Sequence, residues 1–134
     1  MKFFVDNNLP PSLARALNEL CSAEAHSVTH LRDKFDENAI DADWIAALAN
    51  EAGWVVITRD KLSKGIEREA LRRAGLVAFM LDKTWTKQPF WDIAHQLVRW
   101  WPRIMEQARG IQGGAAFKVP WTMRGKGRFE QVVL

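Results

Sequence analysis

Three aspartates carry the chemistry this sequence offers. Asp6 follows the short apolar run Phe3-Phe4-Val5, and Asp60 follows Trp54-Val55-Val56-Ile57 after a polar Thr58-Arg59. Apolar runs of this length, rich in β-branched residues, read as strands buried on both faces of a parallel sheet. Such sheets bind their ligands at the carboxyl ends of the strands. Asp43 falls between the two, in the first turn of a predicted helix, where the dipole and free N–H groups favour an anion. The three are 37 and 17 residues apart in the chain, yet strand ends and helix starts of a right-handed parallel sheet share one rim. Carboxylates gathered there repel one another unless a cation sits between them. Carboxylate donors without His or Cys favour a hard ion, Mg2+ or Mn2+, and a water on such an ion can attack a phosphodiester. The competing reading makes Asp6 and Asp60 loop starters, with Asp41 and Asp43 only capping a helix.

The elements that must position these acids follow in order. Lys2 to Val5 is a strand, and a proline pair opens a helix that runs to about Cys21. Leu13, Leu17 and Leu20 share its apolar face, and Cys21 reads as a small buried residue. Ala25 to Leu31 is a weaker strand. Its His26 and His30 are either ordinary strand residues or metal ligands. Arg32 to Asn38 is a charged loop. Asp41 is the expected N-cap of the next helix, with Ile40 and Ile45 at the positions of a hydrophobic staple. Gly53 ends that helix and starts the central strand. Ser63 is the expected N-cap of a helix that turns Ile66, Ala70, Leu71 and Ala74 inward until Gly75. Leu76 to Leu81 is a further apolar strand, ended by Asp82. A long helix from Pro89 to about Arg109 carries Phe90, Ala94, Leu97, Val98, Trp101, Ile104, Met105 and Ala108 on its apolar stripe. Pro102 is expected to kink or split it. Ala115 to Met123 and Phe129 to Leu134 read as two short strands around the basic turn Arg124 to Arg128.

This alternation predicts an α/β fold: a three-layer sandwich around a parallel sheet of about four strands, with a long C-terminal helix and a small β tail. The 134 residues suit one domain, with an acidic-site core over 1–82 and a basic helix and tail over 83–134. Residues 1–82 hold 10 Lys/Arg against 13 Asp/Glu, and residues 83–134 hold 9 against 3. An acidic part joined to a basic end suits a metal site facing a polyanion. No apolar run approaches the roughly 18 residues of a membrane span, and no leader is expected. The lone Cys21 excludes a disulfide framework and fits a reducing, cytoplasmic setting.

The segments FFVDNNLPPSLARAL, DADWIAALANEAGWVVITRDKLS and GLVAFML resemble the PIN-like domain nucleases, and more closely their short bacterial branch related to VapC-type toxins. The resemblance covers about residues 1–82 and, more loosely, the chain to about 109. It implies a metal-dependent ribonuclease, often the toxin of a toxin–antitoxin pair, with Asp6, Asp43 and Asp60 as catalytic and metal-binding acids. Larger members carry a fourth acid shortly after the third. Here that position is Lys64. Asp41 and Asp82 are the nearest substitutes, and Asp41 is the better placed. Arg59, Lys61, Lys64 and Arg15 beside the rim would hold RNA phosphates, with Arg124, Lys126 and Arg128 as a second group. The implied partners are RNA and a cognate antitoxin that covers the acidic rim, and the Trp-rich long helix is the surface for a partner or a homodimer. Two alternatives stand beside this reading. One is a phosphoacceptor receiver-like signalling domain, which also has acids after strands one and three but wants an acid pair where Asn7 and Asn8 stand. The other is a catalytically inactive module that binds RNA or protein.

Overall fold

The structure, a computed structural model, describes residues 1–59 and 65–134, and of residues 65–67 the backbone alone. Six strands are present among the described residues: β1 (Lys2–Val5), β2 (Ser27–His30), β3 (Trp54–Arg59), β4 (Val77–Leu81), β5 (Ala115–Val119) and β6 (Glu130–Val132). They form one sheet in the order β2-β1-β3-β4-β5-β6. The first five run parallel, and β6 alone is antiparallel, against β5. The tail strands therefore extend the central sheet, with Val77 facing Ala115 and Leu81 facing Val119.

Burial explains which runs became central strands. The side chains of β3 and β4 are buried from Trp54 to Thr58 and from Val77 to Leu81, so helices must cover both faces. On one face, Phe3, Val5, Val55, Ile57 and Phe79 pack with α1 (Pro11–Cys21) and α5 (Phe90–Arg109). On the other, Phe4, Val56, Ala78 and Met80 pack with α3 (Asp41–Glu51) and α4 (Gly65–Ala74). This is the expected three-layer arrangement. Between β2 and α3 the chain makes a short helix, α2 (Leu31–Lys34), where the sequence suggested only a loop.

Several expected details move. Leu20 is 63% exposed, and Leu13, Ala14, Leu17 and Cys21 form the buried stripe of α1. Pro102 does not divide α5, which is one helix of 20 residues. The carbonyl that loses its partner belongs to Val98, which is 40% exposed, so water can take that bond. Ile93 and Trp100 face inward, while Phe90 and Val98 stand partly exposed. The buried stripe is thus rotated from the one expected. Ile40, not Asp41, is the N-cap of α3, and it is 67% exposed rather than tucked into a staple.

Candidate active site

Asp6 leaves β1, an interior strand between β2 and β3, and is completely buried. Its backbone N–H donates to Ile57 O at 3.0 Å, which continues the β1–β3 ladder one residue beyond the strand. Its side chain is therefore set beside Thr58. The Thr58 hydroxyl donates to Asp6 Oδ2 at 2.8 Å, and the Asn7 N–H donates to Asp6 Oδ1 at 2.6 Å.

The next residues build a frame around this acid. Asn8 Nδ2 donates to Thr58 Oγ1 at 3.4 Å, and Asn8 Oδ1 accepts from the Arg59 N–H at 3.4 Å. Asn7 Oδ1 accepts from Arg32 Nε at 2.6 Å, and Asn7 Nδ2 donates to Glu37 O at 3.1 Å. The Asn7-Asn8 turn thus ties β1 to β3 and to the segment leading into α3. An acid pair would be needed here for a phosphoacceptor, and both asparagine side chains are instead committed to this frame.

His30 is fully buried at the end of β2. Its Nδ1 accepts from the Arg32 N–H at 3.1 Å, so Nε2 carries the proton and donates to Leu9 O at 2.6 Å. With both nitrogens in use, His30 is structural. It clamps the loop that follows Asp6. His26 accepts at Nδ1 from the Met1 ammonium at 2.7 Å, at the opposite rim. Among the described residues, neither histidine joins a group of acids that could hold a metal ion.

The parallel sheet sets one rim at the carboxyl ends of β1, β3 and β4, and α3 starts from that rim. Asp6, Arg59, Asp82 and the first turn of α3 therefore share it. Asp43 is exposed in that turn. Asp41 is the first helical residue, and its Oδ1 accepts from Trp44 Nε1 at 3.0 Å. It braces the helix start from within rather than capping it. Asp82 caps the 3-10 turn Lys83–Lys87, with Oδ1 accepting from the Thr84 N–H at 3.0 Å. Asp60, Lys61, Ser63 and Lys64 lie outside the described residues.

Among the described residues, no three Asp, Glu, His or Cys side chains form a group that could hold a metal ion. The oxygen donors of Asp6 and Asp43 nevertheless fit a hard divalent ion by chemistry, and Asp6 is buried and oriented as a first ligand requires.

The basic residues fall into separate places. Arg59 is half-buried, and among the described residues its Nε has no hydrogen-bond partner. Arg15, on α1, pairs with Asp33 at 2.9 Å. Arg124, Lys126 and Arg128 are exposed in the turn after β5, two strands farther along the sheet than Arg59.

Thr58 was not singled out from the sequence. Only the register reveals it: Thr58 stands one position past Ile57, which pairs with Val5, just as Asp6 follows Val5.

A family model described as a PIN like domain matches residues 1–83, which include β1 to β4 and the whole frame around Asp6. No curated protein and no solved structure matches the chain.

Proposed function

The chain belongs to the PIN-like domain family, and from that premise we propose that it is a divalent-metal-dependent endoribonuclease, the toxin half of a toxin–antitoxin pair. PIN-like domains are generally nucleases. The observation that carries the reading here is Asp6, a fully buried carboxylate with both oxygens oriented by donors, at the rim where the fold binds ligands.

Asp6, Asp43 and Asp60 are the acids that would hold Mg2+ or Mn2+, which supplies an activated water and neutralises charge on the phosphodiester. The chain's own work is positional. Thr58 and the Asn7 N–H keep Asp6 aimed. Arg59 sits at the same rim, and a guanidinium suits phosphate oxygens. Lys61 and Lys64 add positive charge to the sequence that follows it. Such contacts hold RNA without choosing its sequence. A partner surface is supported on α5, where Trp91 is 79% exposed beside a cavity of about 510 Å³ between α1 and α5. No helix of the described residues is long and apolar enough to cross a membrane.

The test is cleavage of single-stranded RNA in Mn2+, with Asp6→Asn as the variant and calorimetric Mn2+ titration as a second readout. Loss of both cleavage and binding supports the reading. Undiminished cleavage by Asp6→Asn, or cleavage that survives chelation, overturns it.

A further inference from the structure

A second feature lies mostly outside the 83 residues that the family match covers. Beyond the carboxyl ends of β4 and β5 is a cavity of about 300 Å³, whose lining includes Asp82, Thr84, Trp121, Arg124 and Arg128. An adjoining hollow of about 410 Å³ shares Arg124 and Arg128. Neither arginine forms an ion pair among the described residues, although the chain has many acids.

The arginines are held there by a built turn. The Gly127 N–H donates to Arg124 O at 3.0 Å, and Gly127 O accepts from Arg103 Nε on α5 at 2.9 Å. Gly127 has φ +100°, and a Cβ there would come within 2.8 Å of the Trp100 ring and 3.2 Å of Arg103 Cγ. Only glycine lets the turn seat so closely on α5. The Arg103 guanidinium also lies 4.8 Å over the Phe129 ring. Trp121 is fixed as well. Gln96 Nε2 donates to its carbonyl, and its indole meets the buried Trp85 edge to face at 4.8 Å. Trp85 in turn donates from Nε1 to Val119 O at 2.9 Å.

Two unpaired guanidinium forks beside a fixed, half-exposed indole match the two parts of a nucleotide. Arg forks suit phosphate, and aromatic rings stack bases of any kind. The cavity also shares the rim of Asp6. The β1 and β5 ends are three strand spacings apart, about 14 Å, which a few nucleotides of a single strand can bridge.

We propose that this cavity holds one nucleotide of the single-stranded RNA substrate, with Arg124 and Arg128 on its phosphate and Trp121 against its base. The site gives the substrate a second anchor and fixes which way the strand crosses the acids. It rests on the ribonuclease reading above.

The experiment is binding of the full chain to a fluorescein-labelled single-stranded RNA decamer in EDTA, over a range of salt. Arg124→Ala/Arg128→Ala should weaken binding about tenfold or more and reduce the salt slope by about 1.4. Arg72→Ala/Arg73→Ala changes the formal charge equally near the other end of the fold and should change binding less than twofold. Trp121→Ala should weaken binding about tenfold with the salt slope unchanged, its fold checked by thermal melting. Binding by the Arg124/Arg128 variant within twofold of the parent overturns the proposal. So does an acidic peptide that competes as well as RNA, since the turn would then be a protein-docking site. Binding is read in EDTA, without the metal that the catalytic reading requires, so this result is independent of that reading. Should Asp6→Asn cleave normally, the nuclease site fails on its own account.

Discussion

Thr58 donates its hydroxyl to Asp6 Oδ2 at 2.8 Å, across the junction where β1 and β3 end, and both residues are fully buried. The pair comes from residues 52 apart in the chain. Parallel registry brings them together, because Val5 faces Ile57 and each polar residue is the next one along. Asp6 is thereby held by a partner that does no chemistry of its own.

Thr58→Val keeps the shape of the side chain and deletes that donor. Cleavage should fall about 10- to 100-fold, with a loss of about 1 kcal/mol in stability. The matched measurements are kcat on single-stranded RNA and the unfolding midpoint in urea. Wild-type kcat in a folded Thr58→Val protein would remove Thr58 from the site.

His30 tests whether the site is built by its scaffold. His30→Leu leaves the Leu9 carbonyl and the Arg32 N–H without their partner in a buried place. A loss of about 2–3 kcal/mol is expected. Mn2+ affinity, measured under conditions where the variant is folded, should change much less than in Asp6→Asn. A collapse of metal binding equal to that of Asp6→Asn would return His30 to the list of ligands.

Gly127 is the third case. Gly127→Ala forces a side chain into a left-handed backbone and against Trp100. Overpacking and strain together should cost about 1–3 kcal/mol, read from chemical denaturation. By contrast, alanine at Gly125 meets nothing within 4 Å and carries only the strain of φ +60°. The Gly127 variant should therefore be the less stable of the two.

The pH dependence of stability has a named contributor. Burial first, and then the neighbouring Met1 ammonium, hold His26 below its ordinary 6.5. The folded chain then binds fewer protons than the unfolded chain just below that value, so stability rises with pH there. This contribution is complete above about 6.5 and fades as the pH falls toward the folded value. Thermal melts from pH 8 to pH 5 should show the decline, and His26→Gln should flatten it. An unchanged profile would assign the decline to other groups.

Much of this was legible in the sequence because it is local. Trp54-Val55-Val56-Ile57 and Val77-Ala78-Phe79-Met80-Leu81 announce strands buried on both faces, and both are. Asp6 at the end of the first such run, and Asp43 in the first turn of a helix, followed from the same reading. The alternation of strands and helices gave the α/β class, since a parallel pair needs a crossover between its strands. What depended on registry or on distant neighbours did not show. Leu20 and Leu17 are equally apolar, but only the packing against α5 and the sheet decides which of them is buried. Asp41 has the residue type of a cap, yet the Trp44 indole claims it. Nothing within β5 or β6 says that they continue the central sheet, because an edge is recognised only by the strand that meets it. Thr58 and Gly127 likewise acquire their roles from partners many residues away. A chain writes its periodicity and its turn residues into short stretches, whereas contacts across the sheet exist only after folding has fixed the register.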